Sequence, residues 1–196
     1  MRLHILPLLT LSFLMPVMAH TEEQTVLTKG SYSPQAHSAP SLTDLLTVEQ
    51  SASIFYSYAR ELELSKLFSD NSAKITIFAP TNKAVMALAR KPHQDPVMAD
   101  DGISISEEEY ERMSKRNVER WVSAHIVPES PIDLDSTSPY QTLLERKEIS
   151  FKPVSKSNGQ GPVWSRVTLE NGIKILRMKE ASNGVIYVID GAIAPP

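Results

Sequence analysis

Thr76-Ile77-Phe78-Ala79-Pro80-Thr81-Asn82-Lys83-Ala84-Val85 changes its structural period halfway along. The β-branched and aromatic residues up to Phe78 favour a strand. Pro80 fixes its own φ and carries no N–H, so strand pairing ends there. Thr81 then offers a side-chain oxygen to the first turn of a helix that restarts from it. Phe78 is predicted to face the core. A strand-to-helix corner accounts for Phe78, Ala79, Pro80 and Thr81 without any ligand, and Asn82 is the polar residue that it leaves without a role.

Upstream of this corner the pattern is helical. Ser41-Leu42-Thr43-Asp44 opens a helix with Leu42, Leu45 and Leu46 on one face, and a second amphipathic stretch covers residues 53–68. In that stretch Ile54, Tyr58, Leu62 and residues 64–67 supply the expected buried stripe, before a turn at Asp70-Asn71-Ser72. Downstream, residues 89–106 hold Pro92, Pro96, two adjacent aspartates and Gly102, which reads as a surface insertion. Ser106 and Glu109 form a capping-box pattern, and the three glutamates 107–109 suit the positive end of a helix dipole. The helix is expected to run to about Val127 and stop at Pro128. Its inward face is Tyr110, Met113, Asn117, Val118, Trp121, Val122 and His125, with Trp121 as a core anchor.

The last third alternates or runs apolar instead. Asn171-Gly172, between Val167-Thr168-Leu169 and Ile173-Lys174-Ile175-Leu176, is a hairpin signal because both residues tolerate positive φ. Asn183-Gly184 repeats it before Val185-Ile186-Tyr187-Val188-Ile189, a nearly continuous apolar run that reads as a central strand. Helices first and strands last predict an α+β domain with antiparallel pairing.

The N-terminal residues look like a targeting signal. Arg2 precedes an apolar stretch ending in Val17-Met18-Ala19, where small residues occupy the positions a signal peptidase reads. Residues 1–19 are therefore expected to be a signal peptide cleaved between Ala19 and His20, a retained anchor being the alternative. Residues 20–40, polar and rich in Ser and Thr, read as a flexible leader, and residues 41–196 as one folded domain. Nothing downstream of the signal is expected to span a membrane. There is no Asn-x-Ser/Thr sequon, so N-glycosylation is not expected.

Several chemistries are excluded or disfavoured by composition. The chain has no cysteine, which removes disulfides, thiolate metal sites and a cysteine nucleophile together. A net charge of −3 gives no basic footprint for nucleic acid. Gly102-Ile103-Ser104-Ile105-Ser106 is the nearest approach to a nucleophile elbow and ends in the wrong residue. An EF-hand loop aligned on Gly102 would need ligands at Val97 and Ala99, which have no side-chain oxygens. His20, if it became the N-terminal residue, could join a second histidine in a copper oxygenase site, with His37, His93 and His125 as candidates. His125, on an apolar helix face, reads better as a core histidine bonded to a backbone carbonyl or to a group such as Asn82. No cofactor and no metal is expected.

Two segments together resemble a known family. The 76–85 corner is similar to the first signature of fasciclin-like adhesion domains, and Asn183-Gly184-Val185-Ile186-Tyr187-Val188-Ile189-Asp190-Gly191 resembles their closing strand. Ala124-His125-Ile126-Val127 stands where the family carries a Tyr-His pair, with Ala124 in place of the Tyr. Tyr140-Gln141-Thr142-Leu143 is similar to its Thr-Leu element, with Glu145 near the place of a Gly. The resemblance implies a wedge-shaped β-sheet flanked by helices in one copy over residues 41–196. It marks Phe78, Ala79, Pro80, Thr81, Asn82, His125, Thr142, Leu143, Asn183, Gly184 and Asp190 as mainly structural motif residues. It further implies a secreted, cell-surface or vacuolar protein that contacts a protein or cell-surface glycan, as a monomer or weak dimer, without catalysis. A small-ligand or lipid carrier with a groove beside residues 173–178 is the alternative from another class.

Overall fold

A computed structural model describes residues 39–94, 106–154 and 161–196. The signal, its cleavage between Ala19 and His20, nearly all of the 20–40 leader and the middle of the 89–106 insertion lie outside the described residues.

The described chain opens with α1 (Leu42–Val48), whose N-cap Ser41 forms a reciprocal capping box with Asp44. α2 follows (Ser53–Ala59) and then a 3₁₀ segment (Glu63–Phe68), so residues 53–68 are not one helix. Leu62 sits in extended backbone between them and ends the α-helical run. The buried stripe is Phe55, Ala59 and Leu62, at i, i+4 and i+7, continued by Phe68. It is centred one residue later than the sequence suggests, because the Phe55 ring goes inward and leaves Ile54 and Tyr58 half-buried at its edge.

β1 (Ile75–Pro80) leads through the corner into α3 (Asn82–Met86). α4 (Glu107–Ser123) is shorter than expected, since Ile126–Val127 is the strand β2 rather than a last helical turn. The Ser106 hydroxyl accepts the Glu109 N–H at its start. Only Val118, Trp121 and Val122 are buried along it, and Tyr110 is exposed, so the first half of the helix projects beyond the core. Short pairs follow, β3 (Tyr140–Gln141) with β4 (Glu148–Ile149) and β5 (Lys152–Pro153) with β6 (Val167–Thr168). β7 (Ile175–Ala181) and β8 (Gly184–Ile189) close the fold.

The main sheet has the order β2-β1-β8-β7. β1 and β8 lie parallel, from Ile75 opposite Gly184 to Pro80 opposite Ile189, while the two outer pairs are antiparallel. The expectation of purely antiparallel pairing is thus corrected: the sheet is mixed. A parallel pair needs a long crossover, and the helices and short strands between residues 80 and 184 provide it. Every residue of β1 and β8 is buried, as expected for strands covered on both faces. Ile75, Ile77, Ala79, Ile186 and Val188 join the helices in one core. Phe78, Val185, Tyr187 and Ile189 point the other way, into a second core with Ile149, Phe151, Leu169 and Ile193. Phe78 stacks on Tyr187 with centroids 5.4 Å apart.

Both predicted Asn-Gly turns need adjustment. Asn171 and Gly172 have positive φ, 55° and 74°, as a primed turn requires. Only one bridge, Thr168 to Lys174, follows from it, because Ile175 onward pairs with β8 and Val167–Thr168 with β5. In the second case Ala181 pairs with Gly184, so the turn is Ser182-Asn183, and Asn183 is not a positive-φ residue. Gly184 is needed for a different reason: a Cβ there would overlap the carbonyl oxygen of Ile75 in the neighbouring strand.

Gly184→Ala is therefore expected to destabilise the domain by more than about 4 kcal/mol or to prevent folding. Gly172→Ala, where a Cβ meets open space and only φ is strained, should cost about 1 kcal/mol. Urea unfolding of the two variants checks the contrast, and equal effects would refute the close-approach argument.

Candidate functional site

The motif residues fall at the two ends of the β1–β8 pair and in the turn between β3 and β4. At the corner, Thr81 accepts the Ala84 N–H at 3.2 Å as the N-cap of α3, and its own N–H donates to the Ile189 carbonyl at 2.9 Å. Asn82 has a role that the sequence left open. Its Oδ1 accepts the Ile54 N–H at 2.9 Å, and its Nδ2 donates to the Gln50 carbonyl at 2.9 Å and to Ser53 Oγ at 3.1 Å. The N-cap of α2 is Ala52, which has no capping side chain. Asn82 supplies that cap from across the fold.

Asn183 does the same at the other end of the sheet. It is fully buried, accepts the Leu42 N–H at 2.9 Å at the start of α1, and donates to the carbonyls of Phe68 and Asp70 at 3.0 and 3.1 Å. Asp190 Oδ1 accepts the Lys174 N–H at 2.7 Å and ties the start of β7 to the end of β8. Thr142 Oγ1 bonds within the 142–147 turn, to the Lys147 carbonyl at 2.9 Å. Leu143 donates its N–H to the Ile126 carbonyl at 2.8 Å and packs against the first core.

His125 lies between these places, with 0% of its surface exposed. One ring nitrogen, Nδ1, is 2.7 Å from the Trp121 carbonyl, which can only accept. The other, Nε2, is 3.0 Å from the Ile193 N–H, which can only donate. The partners thus fix the neutral Nδ1–H tautomer. The ring also packs on Trp121 and Phe55, with centroids 4.7 and 5.5 Å away. Burial pushes its pKa down to about 4; the bond to Trp121 opposes this and the Lys147 charge adds to it. Asn82, offered as a partner by the sequence reading, does not bond to it. With both nitrogens engaged, His125 has no lone pair for copper. His93 shares a 3.2 Å contact with the Tyr58 hydroxyl, and His20 and His37 lie outside the described residues. Among the described residues no three acidic or histidine side chains gather to hold a metal ion, and no helix is long and apolar enough to cross a membrane.

Two features were missed by the sequence reading. Glu49, 6% exposed, takes Arg177 Nη2 at 2.9 Å and Lys179 Nζ at 2.7 Å, joining the end of α1 to β7. Burial would raise its carboxyl, but bonds from Lys179 and Ser51 and the Lys179 charge outweigh this and hold it at about 2. The other is a groove of about 500 Å³ between the C-terminal half of α4, the turn after α3 and residues 193–196. Residues 173–178, beside which the carrier alternative places its groove, bury Ile173 and Ile175 in the second core and expose Leu176. Asn117, a polar residue within the apolar helical stripe, lines this groove and was the signal that could have found it.

Thr81→Ala should cost about 1 kcal/mol, the usual worth of one cap, and Asn82→Ala about 2 kcal/mol because it uncaps α2 as well as freeing the Gln50 carbonyl. Equal losses in denaturant unfolding would remove the bridging role from Asn82. For His125 the folded pKa of about 4 lies below the ordinary 6.5, so the unfolded chain takes up the proton first. Its contribution is complete above about pH 6.5 and is lost as pH falls toward 4, by about 3 kcal/mol. Unfolding free energies measured from pH 7 to 4 should fall accordingly, and His125→Gln should flatten that fall.

Residues 50–195 match the family model of the fasciclin domain. A FAS1 domain-containing protein of Emericella nidulans is 30% identical over 193 residues, covering 90% of this chain and 71% of that protein. Another, of Aspergillus fumigatus, is 38% identical over 96 residues, 47% of this chain and 41% of the relative. A third, of Saccharomyces cerevisiae, is 29% identical over 173 residues, 80% and 63% respectively. The chain thus spans less than two thirds of the length of the last two. Among solved structures, the FAS1 domain pair of the insect cell adhesion molecule fasciclin I aligns with a TM-score of 0.48 and 15% identity, over 75% of this chain and 46% of that one. With the family match running from residue 50 to 195 and the Emericella relative aligned along most of both chains, this chain belongs to the fasciclin domain family.

Proposed function

We propose that this chain is a non-catalytic interaction domain of the secretory pathway, working outside the cell, at its surface or in a vacuolar lumen. In this reading residues 1–19 direct it there and are removed before His20. It mediates adhesion by binding a protein or a cell-surface glycan through exposed loops, as a monomer or a weak dimer. No metal or cofactor takes part.

The observation that carries this reading is the internal use of the motif's polar groups. The amides of Asn82 and Asn183 and both ring nitrogens of His125 bond within the chain. A general base needs a lone pair within reach of substrate, and the neutral, buried His125 has spent its own on Ile193. Contact chemistry is then left to the surface, where loops on a rigid scaffold are the usual place for binding residues. The connection between β5 and β6 is one candidate, the strand pair holding its two ends side by side.

The test is binding of the purified chain to a glycan array and to intact cells. Beside it stands a variant with residues 155–160 replaced by a Gly-Ser linker of equal length. Saturable binding that weakens at least tenfold in the variant, with unchanged Tm, is the expected result. No saturable binding to either surface would overturn the reading.

A further inference from the structure

Residues 191–196 leave β8 and pass beside the C-terminal half of α4, with which residues 193–196 line the groove. They join no helix or strand. Among the described residues two hydrogen bonds hold them: the Ile193 N–H donates to His125 Nε2 at 3.0 Å, and Arg120 donates to the Pro196 carbonyl at 3.2 Å. The Arg120 bond is exposed, so water competes for both of its partners. The Ile193 bond is buried, and the Ile193 side chain with it. Attachment of the segment is thus concentrated at Ile193, in a stretch with no repeating backbone bonds to share it.

The two bonds of His125 respond in opposite ways to a proton. Nδ1–H already donates to the Trp121 carbonyl and goes on donating in the charged ring. Nε2 accepts from Ile193 through its lone pair, and that lone pair is where the proton must go. A proton there sets N–H against N–H across 3.0 Å and buries a charge. The surroundings offer it no relief. α2 brings Phe55 to the ring and α4 brings Trp121, with Tyr58 packed on that indole and in contact with His93. The 142–147 turn brings the positive charge of Lys147, whose own partner is Glu170 at 2.6 Å. β1 reaches the His125 carbonyl through the Phe78 N–H, and residues 191–196 carry no titratable side chain. Among the described residues no carboxylate hydrogen-bonds to the ring.

We propose that residues 191–196 are an acid-released strap: protonation of His125 frees Ile193 and detaches this segment while α4 and the four-stranded sheet stay folded. The order of failure follows from the bond directions. The bond that acid leaves intact closes α4, and the bond that it breaks holds the segment with the fewest other ties. Burial keeps the attached ring at about 4, against 6.5 for an ordinary histidine, so the detached form takes up the proton first. Attachment is therefore complete above about pH 6.5 and weakens as pH falls toward 4, by about a hundredfold in the equilibrium. Detachment uncovers Trp121, which is 4% exposed with the strap in place. The device is separate from the loop surface of the interaction reading and stands or falls independently of it.

Amide hydrogen exchange of the full chain from pH 7 to 4.5, corrected for intrinsic rates, tests the proposal. Protection of the Ile193 amide should fall by about fiftyfold, while Val122 in α4 and Ile186 in β8 stay at least tenfold better protected than Ile193. Nitrogen-15 NMR of the imidazole should show Nε2 becoming protonated over the same pH range. In Trp164→Phe the emission of Trp121 should shift to the red with that midpoint, and Arg120→Gln, which removes the other tie, should move the midpoint to higher pH. His125→Gln, an amide with a donor and an acceptor but no titration, should hold Ile193 protection within threefold across the range. Exchange of Ile193 together with Val122 and Ile186 would overturn the proposal, because acid would then unfold the whole domain at once. So would unchanged Ile193 protection while the ring is protonated, or an equal loss in a folded His125→Gln. If that variant does not fold, coincidence or separation of the two midpoints in the unaltered chain decides.

Discussion

The parallel contact between β1 and β8 is the constraint on which the rest of the fold depends. Two strands more than a hundred residues apart in the chain lie side by side over six residues, and neither face of either strand meets water. Such a pair gains nothing from local turns and must be held by what covers it. Helices α1, α2 and α4 cover one face, and the short strand pairs with the 167–175 region cover the other. Gly184 lets the pair close at its first rung, where any side chain would collide with Ile75. At the last rung Pro80 has no N–H to give, and Thr81 restores the ladder by donating to Ile189.

Two of the helices above this pair, α1 and α2, have only seven residues each, and short helices are marginal by themselves. Their ends are therefore secured from the sheet. Asn82, just after β1, caps α2, and Asn183, just before β8, receives the first N–H of α1. The two asparagines stand at opposite ends of the parallel pair and do one job twice: each carries both a donor and an acceptor, so each can satisfy a helix N–H and a loop carbonyl at once. Glu49 adds a third tie, from the end of α1 to the outer strand β7, and its two cations offset the cost of burying a carboxylate there.

Much of this was legible in the residues. The strand-to-helix corner, the Thr81 cap, the Ser41 capping box and the central position of the 185–189 strand all follow from local rules that the structure obeys. The parallel direction did not follow, because largely apolar runs such as 75–79, interrupted only by Thr76, and 185–189 say that both faces are buried and not which way the neighbour points. The asparagine ties and the Glu49 cluster join residues up to about 140 positions apart, and no local pattern encodes a partner at that distance. The end of α4 was missed for a related reason. Pro128 is the first helix-stopping residue after Ser106, but the pairing of Ile126 and Val127 with Ile77 and Thr76 in the sheet ends the helix before it.

His125 shows how a motif residue can be structural and still bear on function. Its Nδ1–H secures the last turn of α4 at Trp121, and its Nε2 anchors Ile193 in the chain that follows β8. Trp121 and Ile193 also both line the groove. The imidazole thus sets the separation of two surfaces while its own atoms stay buried and neutral. A hydrocarbon side chain of similar size could fill the volume but could make neither bond, and the C-terminal wall would lose the contact that positions it. The demand for one donor and one acceptor at fixed separation, in a site without water, is met by a neutral histidine, and burial is what keeps it neutral.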